Sequence, residues 1–273
     1  MNRLFKHFNQ STTIGLFGGM FLIIVMMLMA PEHISAFFNI PGLLVVIGGT
    51  IAATIVSRPI AEVKRVIKQL PALLEDERSD ASRELNQLLQ FADVYRRGSV
   101  RLAEEQINQI HHPLLITGLH HIADGGTKQS LLKLLRNHIH TIRHRGESEV
   151  QILRTMSVFA PAFGMLGTLF GLIHMLHGLG ASGIAEIGTA MGFAMITTLY
   201  GIVAANLFLK PLAMKLERRH QQQVSIYQML CEGMMMIQER THPQLILESL
   251  DALGSHRIET APQSVRPVMA SAA

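Results

Sequence analysis

The sequence predicts an all-α fold: a four-helix transmembrane protein with a cytoplasmic helical domain between spans 2 and 3. Three observations predict it. Four runs, at about 14–30, 40–56, 157–176 and 187–209, contain no Asp, Glu, Lys or Arg. At a rise of about 1.5 Å per residue each is long enough to cross a bilayer as one helix. Between the second and third runs the composition turns polar, and apolar residues return at helical spacing, as in Val63, Val66, Ile67 and Leu70. Third, the basic residues are segregated. Of 24 Lys and Arg, two precede the first run, 15 lie between the second and third, and seven follow the fourth. The two short connections hold none, so the positive-inside rule puts both termini and the insertion in the cytoplasm.

Taken in order, the chain reads as five parts. Residues 1–56 form an N-terminal hairpin whose two helices join through a tight connection at 31–39. A charged start followed by an apolar run resembles a signal peptide, but no A-x-A site follows and a second span comes at once. Gly15 and Gly19 are spaced for close helix contact, and Gly48, Gly49 and Ala53 give the second span a small face. Residues 57–154 form the cytoplasmic domain. Ser79 is a candidate N-cap for a helix running to Arg97. Gly98-Ser99 breaks that helix and starts another, ending near Ile110. Pro113 opens a third and Gly125-Gly126 closes it. A further helix from Thr127 to His144 leads toward the membrane.

Residues 155–209 form a second hairpin, and its first helix organises the rest. Pro161 removes a backbone donor inside the third span, so a bend is expected there. Gly167 and Gly171 form a G-x-x-x-G pair that lets another helix approach closely, and Gly188 and Gly192 repeat the spacing on the fourth span. Pro211 marks the exit from the bilayer. Residues 210–254 are cytoplasmic helices, one amphipathic from Met214 to Glu239 and one starting at His242-Pro243. Residues 255–273, rich in Ser, Ala and Pro, are a disordered tail.

The chemistry is one of omission. All 20 acids lie outside the four spans, yet moving a cation through a membrane needs a carboxylate or its equivalent there. The spans offer Thr168 on the third, and Thr197 and Thr198 on the fourth. Counted from opposite ends of antiparallel helices, Thr168 and Thr198 fall at one depth. Each hydroxyl can also bond its own preceding turn. If the threonines line an ion path, the ionisable group comes from another polypeptide. Neutral oxygens favour sodium, which needs several oxygen ligands, but a hydroxyl can also hold a water in a proton path, so H+ and Na+ both stay open.

Other function classes find little support. One cysteine, Cys231, excludes an internal disulfide framework. His111-His112, His120-His121, His138, His140 and His144 lack a Cys or carboxylate at metal-site spacing and read as solvated helix faces. His174 and His177 lie near the outer end of the third span. Met234-Met235-Met236 reads as helix packing. No aromatic-plus-basic pattern points to nucleic acid, and no nucleophile–base set or phosphate loop points to an enzyme.

Three stretches carry a resemblance. Residues 160–169 (APAFGMLGTL), 196–201 (ITTLYG) and 39–50 (NIPGLLVVIGGT) resemble the A-subunits of flagellar motor stators, both the proton-type motility protein A and the sodium-type polar flagellar protein A. The similarity spans roughly 12–252. It implies a stator subunit in the bacterial inner membrane, coupling inward flow of H+ or Na+ to torque on the rotor switch protein. It also implies a ring of five copies around two B-type subunits, each with one membrane helix, an aspartate in it and a peptidoglycan-binding domain. The transported ion would be the sole small-molecule partner, with no cofactor and no metal site.

On this resemblance Pro161 and Pro211 correspond to the family's two functional prolines. Arg96 and Glu104, with neighbours Arg97 and Glu105, correspond to its rotor-contacting charges. The many histidines depart from the family pattern. The alternative is a Tol-type or outer-membrane-transport energy transducer, which shares the third-span motif but has three spans and lacks the opening hairpin.

Overall fold

The computed structural model describes residues 10–29, 37–74, 81–98, 100–110, 112–178 and 184–254. The candidate cap Ser79, the tail 255–273, most of the first connection and residues 179–183 lie outside them. Among the described residues there is no strand. We number the helices α1 (Gln10–Met29), α2 (Ile40–Ser57), α3 (Ile60–Leu74), α4 (Ala81–Arg96), α5 (Val100–Ile107), α6 (Pro113–Ala123), α7 (Lys128–Gly178), α8 (Ile184–Val203), α9 (Lys210–Gln238) and α10 (Pro243–Gly254).

The chain divides into two compact units, one of residues 1–78 and 144–221, the other of 79–143 and 222–273. The segment expected as one cytoplasmic domain, 57–154, therefore contributes to both. The reason lies in α3 and the middle of α7. Val63, Val66 and Leu73 of α3 are buried against Val150, Ile152, Leu153 and Met156 of α7 and Ala213 and Leu216 of α9. Apolar stripes at helical spacing bury against whatever element presents the matching stripe. Here that element is the base of the membrane hairpin.

Three helices among the described residues are long and apolar enough to cross a membrane: α2, α7, and the run from α8 into α9. The expected first span coincides with α1, 20 residues without a charge. Two boundaries differ from expectation. The helix expected to stop at His144 runs unbroken for 51 residues to Gly178, through both Gly146 and Pro161. The helix of the fourth span begins at Ile184, inside the expected glycine-rich connection, and runs on past Pro211 to Gln238.

That continuation passes through a π-helical segment, Ala204–Leu209, which ends with the Lys210 N–H bonded to the Ala205 carbonyl. Pro211 has no N–H, and its ring crowds the carbonyl four residues back. A widened turn just before it relieves that crowding, and the helix runs on. A second π segment, Leu44–Gly48, lies within α2.

In the other unit the sequence punctuation holds. Gly98 and Gly125 have φ of +81° and +72°, where a side chain would be strained, and they end α4 and α6. Pro113 occupies the first turn of α6, where its missing N–H costs nothing. The core is built from Leu88, Phe91, Ile107, Leu115, Leu119, Ile122, Leu131 and Leu135 with Leu230, Met234 and Leu250. The Met-rich run thus packs: Met234 is buried and fills the space beside Gly118. Cys231 packs at the edge of this core, and burial, with Glu232 beside it, pushes its thiol up to about 12. That leaves it protonated and unreactive at neutral pH.

Candidate functional site: the seam between two membrane helices

Small residues let α7 and α8 meet backbone to backbone. On α7 the contact residues are Ala160, Gly164, Gly167 and Gly171. On α8 they are Ala190, Ala194, Thr197 and Gly201. Both stripes have the spacing four, three, four, which keeps one face of an α-helix in register. A Cβ on Gly164 would lie 2.9 Å from the Thr197 carbonyl oxygen and 3.3 Å from the Thr198 Cα. One on Gly201 would lie 2.7 Å from the Ala160 carbonyl and 3.1 Å from the Pro161 Cα. One on Gly171 would lie 2.8 Å from the Ala190 carbonyl. These neighbours are mostly backbone, so no side chain can be accommodated by a rotamer change.

The Gly167–Gly171 pair does what its spacing predicts. Gly188 and Gly192 do not: among the described residues nothing lies within 4 Å of a Cβ added at either. They lie on other faces of α8, and the residues that meet α7 are alanines, a threonine and Gly201. The signal was present, since Ala190, Ala194, Thr197 and Gly201 are all small, but a search for glycine alone passes over it. The first hairpin follows the same pattern in part. Among the described residues nothing lies within 4 Å of a Cβ added at Gly15 or Gly48, whereas Gly19 meets Leu207 and Gly49 meets Phe163.

The seam fixes the threonines. Gly167 lies against Thr197, where a Cβ would come within 2.6 Å of the Thr197 hydroxyl. Thr168 and Thr198 are the next residues on each helix, so they flank one level of the seam. Thr197 is fully buried and its hydroxyl donates to the Ala194 carbonyl at 2.8 Å. Thr168 is partly exposed and donates to the Met165 carbonyl at 2.6 Å. Each oxygen has spent its hydrogen on its own helix and keeps lone pairs for a further donor or a cation. Thr198 is partly exposed beside them.

Pro161 sits in the seam, one residue past Ala160. Pro211 sits just past the π segment that joins α8 to α9. Toward the Gly178 end of α7, Phe170, Gly171, His174, Thr189, Ala190 and Phe193 line a groove of about 390 Å³.

Sequence reasoning passed over Tyr200. Its hydroxyl accepts from the Asn39 N–H at 2.9 Å and donates to the Phe37 carbonyl. Asn39 in turn caps α2, its Oδ1 accepting from the Gly42 N–H at 2.9 Å. Gly42 packs on Thr197, whose Cγ2 would be 3.1 Å from an added Cβ. Two of the stretches that carried the resemblance, 39–50 and 196–201, thus meet in space. Tyrosine inside an apolar run is the signal that was available, because a buried phenol needs a hydrogen-bond partner.

The charged candidates sit elsewhere. Arg96, Arg97, Glu104 and Glu105 are all exposed, on either side of the turn at Gly98. Arg97 pairs with Asp93 at 2.6 Å within α4 and its capping turn. Arg96 has no such partner among the described residues. Of the histidines, His112 faces Glu84 at 3.7 Å and sits edge-on to Tyr227, and His121 bonds Ser130 at 2.6 Å. Among the described residues no three His, Cys, Asp or Glu side chains gather as a metal site would require.

Residues 106–229 match the model of the MotA/TolQ/ExbB proton channel family. The chain is 29% identical over 237 residues to motility protein A of Treponema phagedenis, covering 87% of this chain and 90% of that protein. It is 27% identical to chemotaxis protein PomA of Vibrio alginolyticus over 239 residues, 86% of this chain and 91% of that one. In structure it is similar to the flagellar MotAB stator complex from Bacillus subtilis. There the TM-score is 0.78 at 25% identity, over 89% of this chain and 94% of the other. A chain of C. jejuni MotAB shares the fold, with a TM-score of 0.83 at 20% identity, over 93% and 99%. With its apolar helices, its small-residue seam and these likenesses, the chain is a membrane protein similar to motility protein A and PomA, and it carries a segment that matches the MotA/TolQ/ExbB proton channel family.

Proposed function

We propose that the chain is the A-type subunit of a flagellar stator. With a B-type subunit it passes H+ or Na+ inward across the bacterial inner membrane and converts that flow into torque on the rotor switch protein. The observation that carries this reading is the seam. It closes two apolar helices on each other, sets threonine oxygens at one level, and has no carboxylate there. A helix bearing an acid, supplied by another polypeptide, completes such a site; one B-type membrane helix with an aspartate has that chemistry. Similarity over nearly the whole chain to motility protein A and PomA supports the stator reading over a Tol-type energy transducer. The family resemblance supplies the expected assembly, five copies around two B-subunits, with both termini in the cytoplasm.

On this reading Thr168 and Thr198 face the ion, while Thr197 belongs to the packing. Pro161 and Pro211 are the points where the hairpin changes shape as the partner carboxylate is charged and neutralised. Arg96 and Glu104 meet the rotor. Arg97, engaged with Asp93, and Glu105 support them. The activity is transport and mechanics rather than catalysis.

The test has two arms. Liposomes holding the chain alone carry no cation current, and adding the B-subunit restores one; a current from the chain alone overturns the reading. Swimming speed is then measured at fixed pH while potassium replaces sodium. Unchanged speed assigns protons. If speed falls, Thr168→Ala and Thr198→Ala each raise the sodium needed for half-maximal speed, and no rise would make the threonines packing residues.

A further inference from the structure

Helix α3 carries two apolar stripes, and only one of them is covered. At about 100° per residue, Val63, Val66, Leu70 and Leu73 fall within a sector of about 80°. They pack on residues 150–156 of α7 and 212–216 of α9. That share of α7 is about 9 Å long, whereas 63–73 covers about 15 Å, so α3 crosses α7 rather than running along it.

The two flanks of the covered sector differ. On one, the Glu62 carboxylate accepts from Ser148 Oγ at 3.2 Å, and Arg65 Nη1 lies 4.0 Å from Glu149 Oε1. Ser148 and Glu149 stand nine and eight residues before Ser157, where the apolar run of α7 begins. This flank therefore points away from the membrane. On the other flank lie Ile60, 66% exposed, and Ile67, 41% exposed. A crossing helix that turns one flank away from the bilayer turns the other toward it. Next round the helix come Lys64 and Lys68, both exposed. Neither has an acidic partner among the described residues.

Continuity keeps this stripe at the membrane surface. The span α2 ends at Ser57, and only Arg58 and Pro59 separate it from Ile60. Val56, in the last turn of α2, is exposed and apolar. The face that α2 offers to lipid thus continues onto α3. The acids Glu75, Asp76 and Glu77 follow α3, which confines a cationic surface to its first three turns. Acyl chains suit the isoleucines, and lysine stems reach past an apolar stripe to place their ammonium groups among anionic headgroups.

We propose that α3 is an interfacial anchor. Ile60 and Ile67 enter the leaflet at which α2 ends, and Lys64 and Lys68 bind anionic phospholipid headgroups there. The anchor needs only that α2 spans the membrane, and it is independent of the stator reading.

The chain contains no tryptophan, so Ile67→Trp supplies a single reporter. The full chain is reconstituted in vesicles that mix phosphatidylcholine with phosphatidylglycerol, with bromine on the acyl chains of one lipid or the other. Contact with bromine quenches the indole. At equal mole fraction, brominated phosphatidylglycerol is expected to quench more strongly, with a preference of about fivefold for each lysine. Lys64→Gln combined with Lys68→Gln is expected to keep the quenching and lose the preference. No quenching by either lipid overturns the anchor, and a disulfide between Ile67→Cys chains would then identify a second copy as the occupant. Equal quenching by both lipids overturns headgroup binding. A preference retained by the double variant overturns the assignment to Lys64 and Lys68. If I67W cannot be recovered, Ile60→Trp replaces it with the same outcomes.

Discussion

The two units are packed by different chemistries. Between α7 and α8 the contact residues are alanine, glycine and one threonine. In the unit of residues 79–143 and 222–273 they are Phe91, Leu115, Leu119, Ile122, Leu131 and Leu135. In water, removing large apolar side chains from solvent drives association at roughly 25 cal/mol per Å². In lipid that drive is absent, because acyl chains suit leucine as well as a protein does, and what remains is close backbone contact. Met165, Leu169, Phe170, Leu172, Ile173 and Leu176 of α7 are accordingly exposed within the chain, while the glycines are covered. Size therefore marks the core in one region and the periphery in the other.

The strongest way to break this contrast is to enlarge the seam. Gly164→Leu has backbone on every near side and is expected to abolish assembly and motility. Gly192→Ala, on the same hairpin but facing open space, leaves both intact. Native gels of the membrane complex and swimming halos read the outcome, and a motile, assembled G164L would refute the seam.

Next in size are truncations in the aqueous core. Phe91→Ala and Leu119→Ala each remove a fully buried side chain and are expected to cost about 3–5 and about 2–5 kcal/mol. Denaturant unfolding of the purified chain measures this. A loss below about 1 kcal/mol would mean that the cavity collapses freely.

Charge reversal sharpens the comparison by separating function from stability. Arg96→Glu and Glu104→Lys alter exposed groups, so stability is expected to move by no more than about 0.5 kcal/mol. Motility nonetheless falls sharply, with membrane levels normal on immunoblots. Variants missing from the membrane would withdraw the rotor-contact assignment.

The smallest effect is a pH slope. Burial, and then His138 nearby, hold His112 below its ordinary value. The unit of residues 79–143 and 222–273 therefore loses stability as pH falls below about 6.5, where the unfolded chain takes up the proton more readily. His112→Asn removes that slope and suits the N-cap of α6. Thermal melts between about pH 7.5 and 5.5 test it, and an equal slope in the variant would exclude His112 as its source.

The sequence by itself determined the helices and the absence of a carboxylate from the apolar runs. Hydrophobic runs without charge, Gly98, Pro113 and Gly125 as punctuation, and the basic asymmetry are local properties that need no partner to be legible. Gly167 and Gly171 were also legible, because their spacing states which face is small. Tertiary structure alone decided which small residues pair. Gly188 and Gly192 have the right spacing on the wrong face, and the face that matters is set by where α7 lies. It also decided that α7 runs unbroken through Gly146, that Tyr200 reaches Asn39, and that Glu62 reaches Ser148. Those two contacts join residues 161 and 86 positions apart, and no periodicity within either segment records them.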